Sequence, residues 1–591
     1  MKKLTAMLLA ALLVLSLGAS ELTNITILGT SDIHGNIIGW AYEDNKATTN
    51  NGMARLYTYI QQVREENPNT VLIDDGDVIQ GTIMTDELYN RAPDKEHPVI
   101  AVMNYMGFAS TTLGNHEFNK GIPAMNKILG QADFPVLAAN VLNADGSYVT
   151  GQGWFMLDVA GYKMAVIGVC TPNIPIWDAN KEGIQETTFE SGSTAVKRCI
   201  EEIGDTADII YVSAHMGLSP EFDFENGSDS AQRILDDNPE IDVLQVGHYH
   251  IVVNEKQGRT VVGGVRNAAR DIARFDLYLD EDGNIVDSTV QIIDMKDYEP
   301  SQEIINLPIV QKSHEETNDY IYGNILAVAT ERFQPENEIR GIPEGRIRDT
   351  AVIDLINEAM LEATGADVSC ASLFKTTSDL PEGELTYANI FDIYKYDNAL
   401  FRVPVTGAEL KAHMEWSAET YNQWVPGDIN ISFDASYPDY LYDMFAGVDY
   451  EIDLSQPKGQ RIKNVMYKGE PLKDDEELLL AVCDYRYNSA LKPYGLVAAT
   501  KDWESPDSVR TVLVEYFKEK GTLTPEVDNN WRIVGVDLCE DDPRRAELVS
   551  LINEGKLDPP YNKSYNLADY DELVALAEAG IEGVELSSFN H

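Results

Sequence analysis

The chain contains little cysteine and little positive charge. Five cysteines are spread over 591 residues, and none of them forms a CxxC pair. This number and spacing argue against a cysteine zinc site or a disulfide-rich scaffold. Lysine and arginine total 45 against 97 aspartates and glutamates, which gives a formal net charge of −52. A nucleic-acid polymer is therefore not an expected partner, because a phosphate backbone requires a basic surface.

Long apolar runs are scarce, and the one that stands out lies at the start of the chain. Lys2 and Lys3 precede a leucine- and alanine-rich run at 4–17, and small residues follow it up to Ser20. This order is typical of a signal peptide, here residues 1–20, whereas the run is short for the alternative, a transmembrane anchor. We expect an exported protein of the periplasm, the cell envelope or the medium, without stable membrane insertion. The sequence leaves its oligomeric state open.

A chain of this length is too long for one hydrophobic core, so at least two domains are expected. In residues 21–300, short β-rich runs alternate with helical stretches at 53–66 and 193–203, which predicts an α/β sandwich. The predicted strands are residues 25–28, 70–73, 136–139, 164–169, 209–212 and 243–246.

The second half of the chain predicts a further α/β domain. Residues 301–349 are polar and punctuated by proline and glycine, which is typical of a connector between domains. Residues 350–540 mix helices at 350–362 and 407–421 with strands at 400–405, 462–467 and 477–482. Residues 541–591 form a tail with two predicted helices, at 543–554 and 569–579.

Most of the chemistry-bearing residues follow predicted strands. Open α/β sheets bind ligands at the carboxyl ends of their strands, so these residues are expected to meet. Carboxylates, an amide oxygen and imidazoles together suit divalent metals such as Mn, Zn, Fe or Co. We expect extended backbone at Asp32 and His34, with both side chains on one side, and a turn at Gly76 that aims Asp77 inward, where its two oxygens can bridge two ions. The candidate metal ligands are Asp32, His34, Asp77, Asn115, His215, His248 and His250.

Two ions about 4 Å apart would clamp a phosphate and activate a water molecule between them. His116 follows the candidate ligand Asn115 directly and is poorly placed to bind the same ion. It is better suited to contact the phosphoryl oxygens or to protonate the leaving oxygen. A single DxH or HxH pair arises easily by chance. Five of the nine histidines lie in these runs, however, which argues against a purely structural role for the whole set.

The same runs resemble the signature of the calcineurin-like metallophosphoesterases, and the extensions Gln80-Gly81 and Glu117-Phe118 resemble the 5′-nucleotidase family within it. The resemblance implies a four-layer α/β/β/α sandwich followed by a nucleoside-binding α/β domain. It implies His116 and the neighbouring Asn115 as catalytic residues. It also implies two metal ions, one held by Asp32, His34, Asp77 and His250 and the other by Asp77, Asn115, His215 and His248.

One residue departs from the pattern of many 5′-nucleotidases. They carry an aspartate three residues after the catalytic histidine, whereas this chain carries Asn119. An amide cannot stabilise an imidazolium by charge. Either another acid supports His116, or the pKa of His116 is lower than in the relatives with the aspartate.

The second half of the chain indicates the substrate. Residues 442–457, 529–532 and 371–375 resemble the 2′,3′-cyclic-nucleotide 2′-phosphodiesterase/3′-nucleotidase branch. The resemblance implies that Tyr396 and Tyr485 stack on the base, with Asn398 also in contact with the substrate. It places Lys375 near the ribose or phosphate. From position alone, either tyrosine would more simply be a residue at the edge of the core.

These observations predict an exported, metal-dependent hydrolase of small nucleotides. It would open 2′,3′-cyclic nucleotides to 3′-nucleotides and dephosphorylate those to nucleosides. The nearest alternative is a 5′-nucleotidase or UDP-sugar hydrolase with the same metals. The alternative of another class is a non-catalytic nucleoside-binding surface protein, which the complete ligand set disfavours. The resemblance also implies a hinge motion near residues 301–350.

Overall fold

The structure, a computed structural model, describes residues 22–179, 181–220, 228–396, 398–438 and 440–579, without the side chains of residues 43, 506 and 507. The predicted signal peptide at 1–20 lies outside the described residues. None of the helices in the described ranges combines the length and the apolar character needed to cross a bilayer. The chain divides into two compact units, one that ends at Asn318 and one that begins at Asp319.

The first unit is built on two mixed six-stranded sheets. Its principal strands are β1 (Thr23–Thr30), β2 (Thr70–Asp74), β3 (Ser110–Thr112), β4 (Val136–Leu137), β5 (Trp154–Val159), β6 (Tyr162–Cys170), β7 (Ile209–His215), β8 (Val243–Val246), β9 (Val253–Gln257), β10 (Thr260–Gly264), β11 (Asp271–Leu279) and β12 (Ile285–Asp294). The first sheet has the order β12-β11-β1-β2-β3-β4 and the second the order β9-β10-β8-β7-β6-β5. Short two-residue strands at Trp40–Ala41, Lys46–Ala47, Val141–Leu142 and Thr188–Phe189 complete the unit.

The helices of the first unit are α1 (Met53–Glu66), α2 (Pro98–Met106), α3 (Ile122–Leu129), α4 (Ile174–Trp177), α5 (Gly192–Ile203), α6 (Ala231–Asp237), α7 (Gln302–Ile305) and α8 (Pro308–Tyr322), the last of which crosses the boundary between the units. Apolar residues of both sheets, among them Ile27, Val166 and Phe275, form one buried cluster. A second cluster joins the second sheet to α5 and α6. Because both faces of this sheet are covered, its central strands are apolar on both sides.

The central strands of each sheet run parallel to one another. β1, β2, β3 and β4 are parallel neighbours in the first sheet, and β6, β7, β8 and β10 are parallel neighbours in the second. Their carboxyl ends therefore collect at one edge of each sheet. The predicted helix at 53–66 and strand at 243–246 are confirmed, while the predicted strand at 136–139 is shorter, ending at Leu137. The predicted α/β/β/α fold class is confirmed for this unit.

The second unit is also mixed α/β. Its strands are β13 (Ala327–Ala329), β14 (Val368–Ala371), β15 (Gly383–Leu385), β16 (Ala399–Thr406), β17 (Met444–Ala446), β18 (Asp449–Asp453), β19 (Ile462–Tyr467), β20 (Glu470–Pro471), β21 (Glu477–Cys483), β22 (Trp503–Ser508), β23 (Thr522–Leu523) and β24 (Trp531–Val534). The sheet orders are β17-β14-β21-β16-β22, β20-β19-β18-β24 and β15-β13-β23. The helices are α9 (Ala351–Thr364), α10 (Tyr387–Ile393), α11 (Gly407–Ser417), α12 (Asp484–Arg486), α13 (Val509–Lys520), α14 (Pro543–Asn553) and α15 (Tyr570–Ala579).

Residues 541–579, the described part of the predicted tail, pack into this second unit. Leu548 and Ile552 of α14 share a buried cluster with Ile339, Ile342 and Ile429. Arg545 donates to Glu338 at 2.7 and 3.1 Å, and the amide of Ile429 donates to the Tyr565 carbonyl at 3.0 Å. The tail is therefore part of a hydrophobic core rather than a separate appendage.

Candidate metal centre and base pocket

The structure brings the seven predicted metal ligands together at the carboxyl ends of the parallel strands. Asp32 and His34 follow β1, Asp77 follows β2, Asn115 follows β3, His215 ends β7, and His248 and His250 follow β8. The ligand atoms of six of them form two groups, each within 4.8 Å: Asp32 with His34 and His250, and Asp77 with His215 and His248.

Asp77 lies between the two groups. Its Oδ2 is 3.1 Å from His215 Nε2 and 4.0 Å from His34 Nε2. Asp32 Oδ1 lies 3.2 Å from His250 Nε2 and 3.8 Å from His34 Nε2. One carboxylate oxygen of Asp77 is thus within reach of ligands from both groups, as a bridging ligand requires.

The donor atoms suit metal ions. Buried polar atoms normally have a hydrogen-bond partner. Here Asp32 Oδ1, Asp77 Oδ2, Asn115 Oδ1 and His215 Nε2 are buried and have no hydrogen-bond partner. His215 Nε2 lies 3.9 Å from Asp32 Oδ1 and 3.1 Å from Asp77 Oδ2, so three of the four atoms converge on one place. Such a set fits bound divalent cations of the kind that mixed N and O ligands hold.

Backbone geometry at the centre differs from the extended strand ends expected at Asp32 and His34. Both residues have positive φ, 52° and 49°. Asp77, His248 and His250 also lie in the left-handed region, at 55°, 70° and 55°. Residues other than glycine rarely occupy this region, because it strains their backbone. Backbone strain of this kind is found mostly at functional sites. The expectation of extended backbone was wrong because hydrogen bonds between loops impose the turns: Asp32 N donates to Gly76 O and His34 N donates to Asp77 O, each at 2.9 Å.

Glycine is required at Gly76. Its φ is 97°, and a Cβ there would lie 2.5 Å from the backbone nitrogen of Gly114. The loops after β2 and β3 therefore approach each other as closely as two backbones can. This contact positions Asp77 next to Asn115.

Neighbouring groups orient the imidazoles. His34 Nδ1 lies 3.0 Å from the carbonyl oxygen of Gln80, and His215 Nδ1 lies 2.6 Å from that of Asp75. A carbonyl only accepts, so Nδ1 carries the proton in both rings and Nε2 is left as the ligand atom. Burial alone would lower the pKa of His215, but the carboxylates of Asp77 and Asp32 raise it well above its usual value.

Glu117, for which the sequence analysis predicts no role of its own, holds together the loops of the centre. Its two buried oxygens accept hydrogen bonds from the backbone amides of Asp77 at 2.9 Å, Val78 at 2.8 Å and Gly114 at 2.7 Å. A single carboxylate thus satisfies amides from both loops. In the sequence, the only signal for Glu117 was its place in the Glu117-Phe118 extension of the motif that contains His116.

His116 stands beside the ligands and is linked to a distant acid. Its Nδ1 lies 2.8 Å from Asn119 Oδ1, and Asn119 Nδ2 donates to Asp178 Oδ2 at 3.1 Å. Because a carboxylate only accepts, the amide nitrogen faces Asp178 and the amide oxygen faces His116. The Nδ1 atom of His116 therefore carries a proton, and Nε2 is the atom free to act.

The structure distinguishes the two alternatives for His116, which are support by another acid and a lowered pKa. Burial would lower the pKa of His116, but the charge of Asp77 and the bond to Asn119 raise it, with Glu117 and Asp178 adding to the effect. Asp178 is an acid two hydrogen bonds from the ring. The geometry therefore favours support by another acid over a lowered pKa.

A separate cavity of about 230 Å³ lies within the second unit. Tyr396, Tyr485 and Asn398 line it, as do Phe374, Tyr394, Tyr440, Asp443 and Arg486. Tyr396 and Tyr485 are 42% and 47% exposed, so each keeps a ring face available for stacking. The structure does not bring Lys375 into this lining, because its ammonium lies 3.0 Å from Asp392 Oδ1.

The floor of the cavity carries charges that the sequence did not single out. Arg486 Nε lies 2.8 Å from Asp443 Oδ2, which is also 2.8 Å from His413 Nε2. Burial would raise the pKa of Asp443, but Arg486 and His413 hold it well below its usual range. Arg486 follows Tyr485 directly in the sequence, and only its proximity to that predicted stacking residue could have marked it.

Each of the two units matches a known family. Residues 25–252 match the family described as calcineurin-like phosphoesterase, and residues 328–491 match the family described as 5′-nucleotidase, C-terminal domain. The chain therefore contains a calcineurin-like phosphoesterase domain and a 5′-nucleotidase C-terminal domain. The predicted resemblance is confirmed, and the chain is a hydrolase of phosphoric esters whose N-terminal domain is of a kind that binds divalent metal ions.

Relatives of this phosphoesterase share most of its length. A 2′,3′-cyclic-nucleotide 2′-phosphodiesterase/3′-nucleotidase of Yersinia enterocolitica is 29% identical, with 90% of this chain and 92% of that protein aligned. A protein of the same description from Salmonella typhimurium is 28% identical, over 91% and 92% of the two chains. A crystal structure of a Staphylococcus aureus protein assigned as a 5′-nucleotidase has a TM-score of 0.71 at 24% identity, covering 86% of this chain and all of that one. At that identity the structural likeness shows the fold alone.

Proposed function

We propose that this phosphoesterase opens 2′,3′-cyclic nucleotides to 3′-nucleotides and dephosphorylates 3′-nucleotides to nucleosides. The observation that carries the reaction class is the convergence of six predicted ligands in two groups beside His116, four of the seven predicted ligands having a buried atom without a hydrogen-bond partner. The cyclic-nucleotide branch is supported by relatives of that description that align over nine-tenths of both chains.

The roles of the residues follow from the geometry. Two divalent ions, Mn, Zn, Fe or Co, would be held by Asp32, His34, Asp77 and His250 and by Asp77, Asn115, His215 and His248. When bound, they supply positive charge for the phosphate and acidify water. Asn115 would be a ligand of the second ion, and it directly precedes His116 in the chain.

His116 would supply the proton for the leaving oxygen. Its Nδ1–H donates to Asn119, so the protonated ring presents a second N–H, at Nε2. In the first reaction this proton goes to the 2′ oxygen as the ring of the cyclic phosphate opens. In the second it goes to the 3′ oxygen as phosphate leaves.

Tyr396 and Tyr485 would hold the base by stacking, with Asn398 and Arg486 at the cavity wall and floor. Stacking tolerates every base because each has a π-face. Lys375, in its ion pair with Asp392, is less well placed to bind substrate than the sequence predicted. Small nucleotides are therefore the proposed substrates.

Export of the protein is also a proposal. It rests on the signal-peptide pattern of residues 1–20. N-terminal sequencing of the mature protein from the cell exterior is expected to begin just after Ser20. A mature chain that still starts at Met1 would contradict it.

The substrate is tested by phosphate release from 2′,3′-cyclic AMP, 3′-AMP and 5′-AMP with added Mn²⁺. We expect turnover of the first two and little of the third, with turnover abolished in His116→Ala. Preference for 5′-AMP would favour the 5′-nucleotidase alternative. Release from none of the three would favour the non-catalytic nucleoside-binding alternative.

The base pocket is tested with Tyr396→Ala and Tyr485→Ala. Stacking contributes roughly 1–3 kcal/mol per base, so KM for 3′-AMP is expected to rise about tenfold or more. Hydrolysis of bis(p-nitrophenyl) phosphate, which has no base, should not change. Tyr494→Ala is the matched control, because Tyr494 is 67% exposed and outside the cavity lining. An unchanged KM for 3′-AMP in both pocket variants would refute the assignment.

A further inference from the structure

Three aspartates of the second unit meet away from the base pocket. Asp349 precedes α9, Asp354 lies in its first turn, and Asp528 lies in the loop before β24. One carboxylate oxygen from each lies within 4.8 Å of the others. Acidic clusters are common on protein surfaces and do not by themselves indicate a binding site. The burial and the hydrogen-bond partners of each carboxylate are therefore decisive.

Asp349 is the decisive member. It is only 9% exposed, and both of its carboxylate oxygens are buried without a hydrogen-bond partner. Burying a charged group is costly unless it is paired. A carboxylate in this position needs a positive charge, and no lysine, arginine or histidine in the described part of the chain forms an ion pair with Asp349.

Backbone amides fix the other two carboxylates. The amide of Asp528 donates to Asp354 Oδ2 at 3.1 Å, and the amide of Asn530 donates to Asp528 Oδ1 at 3.0 Å. These bonds fix the orientation of both side chains and use one oxygen of each. Two further oxygens that adjoin the cluster in sequence, Thr350 Oγ1 and Asn530 Oδ1, are also buried without partners.

The surrounding charges are negative. Burial, followed by the charges of Asp354 and Asp528, raises the pKa of Asp349 to about 8. Burial and the charge of Asp528 raise the pKa of Asp354 to about 6, with Glu358 adding to the effect. The basic residue next in sequence, Arg348, is engaged with Glu344 at 2.5 Å. The occupant of the cluster must therefore be a cation or a shared proton.

We propose that Asp349, Asp354 and Asp528 bind one hard divalent cation, Ca²⁺ or Mg²⁺. All of the donor atoms are oxygens, which both ions prefer and which the softer metals of a histidine-rich centre do not require. The site is separate from the candidate metal centre, whose ligands all belong to the first unit. It does not depend on the proposed substrate.

The cation would join two parts of the second unit. It would tie the start of α9 to the loop that leads into β24, which pairs with β18. α9 leads into β14, whose residues Cys370 and Ala371 line the base pocket. Binding to the folded state alone stabilises it by mass action.

The test is cation binding by the full chain, measured by isothermal titration calorimetry. The background is Asp77→Ala, which removes the ligand that both ions of the candidate metal centre would share and changes no residue of the second unit. We expect one equivalent of Ca²⁺ or Mg²⁺ to bind, and separate titrations with each salt identify the ion. Adding Asp349→Asn, which keeps the shape and removes the charge, should weaken binding at least about tenfold and remove the rise in melting temperature that the cation produces.

Glu526→Gln is the matched control, because it removes one exposed negative charge from the same loop without touching the cluster. It should bind as the parent does. Equal affinity in the Asp349→Asn variant would overturn the proposal. So would the absence of binding by the parent at millimolar Ca²⁺ and Mg²⁺, which would mean that a shared proton occupies the cluster.

Discussion

His116 illustrates how one residue can depend on a partner that it does not contact. The path from His116 runs through the Asn119 amide to Asp178, so the acid is two hydrogen bonds away from the ring. An amide can rotate by half a turn and present its nitrogen instead of its oxygen to the ring. Asp178 prevents this, because only the amide nitrogen can donate to it. We therefore regard Asp178 as a positioning residue for His116.

Substitution of Asp178 tests this role. Asp178→Ala frees the Asn119 amide, so kcat is expected to fall about tenfold, the lower end for loss of a group that orients an active-site residue. KM and bound metal should not change. Asp178→Asn retains an acceptor oxygen for Asn119 and should recover most of the activity. Exposed Asp133→Ala is the control. A parallel loss of bound metal, or no recovery with asparagine, would indicate a different role.

At the residue scale, the sequence predicts the residues that carry chemistry better than those that hold them in place. Asp77 and His215 follow strands, and their chemical types alone indicate a metal site. Glu117 and Asp178 were missed because their roles depend on which amides face them, and chain spacing does not reveal this. Lys375 was expected to contact substrate, but its ammonium is engaged with Asp392. The two residues are 17 positions apart, and no local sequence pattern predicts an ion pair between them.

At the scale of elements, loops after parallel strands shape the metal centre. The strand and helix positions follow from apolar periodicity, which is why 53–66 and 243–246 were predicted. The positive φ values of Asp32, His34 and Asp77 could not be predicted in this way. Local sequence favours the left-handed conformation mainly for glycine and asparagine. Contacts between loops impose these conformations, and Glu117 makes several of the contacts.

Glu117→Gln tests that dependence. The glutamine amide nitrogen would face backbone N–H groups that now meet a carboxylate oxygen, leaving at least one buried donor unsatisfied. Such a loss costs about 1–3 kcal/mol of unfolding free energy. Chemical denaturation should show this decrease, and metal analysis should show reduced occupancy of the centre. The control is Glu65→Gln, at an exposed position on α1. Unchanged stability and metal content would contradict the role of Glu117.

For the molecule as a whole, the excess of acidic residues has a local consequence. A net charge of −52 excluded polymers of nucleic acid as expected partners, but it did not indicate where acidic groups would become buried together. Most acidic side chains lie where water and salt screen them. The carboxyl of Asp349 is buried and is not screened in this way. The stability of the second unit should therefore depend on pH and on cations.

The sign of the pH dependence follows from the raised pKa of Asp349. That pKa is about 8 in the folded chain, against roughly 3.9 for an unperturbed aspartate. Between those values the unfolded state has lost the proton and the folded state retains it. The unfolding free energy therefore falls as pH rises from about 4 to about 8, and it levels off above that. The ionisable groups that face this carboxyl are Asp354, Asp528 and the phenol of Tyr450, with Glu358 acting on Asp354.

Melting curves recorded between pH 5 and pH 9, with and without saturating Ca²⁺ or Mg²⁺, test this dependence. Without added cation, wild type should lose stability relative to Asp349→Asn as pH rises, because the variant has no carboxyl to ionise at that position. With cation, the difference between the two proteins should disappear or reverse, since the ion replaces the proton. Both proteins share one metal centre, so its own response to pH cancels in the comparison. Parallel curves for the two proteins at every pH would show that Asp349 is not the group that couples stability to pH.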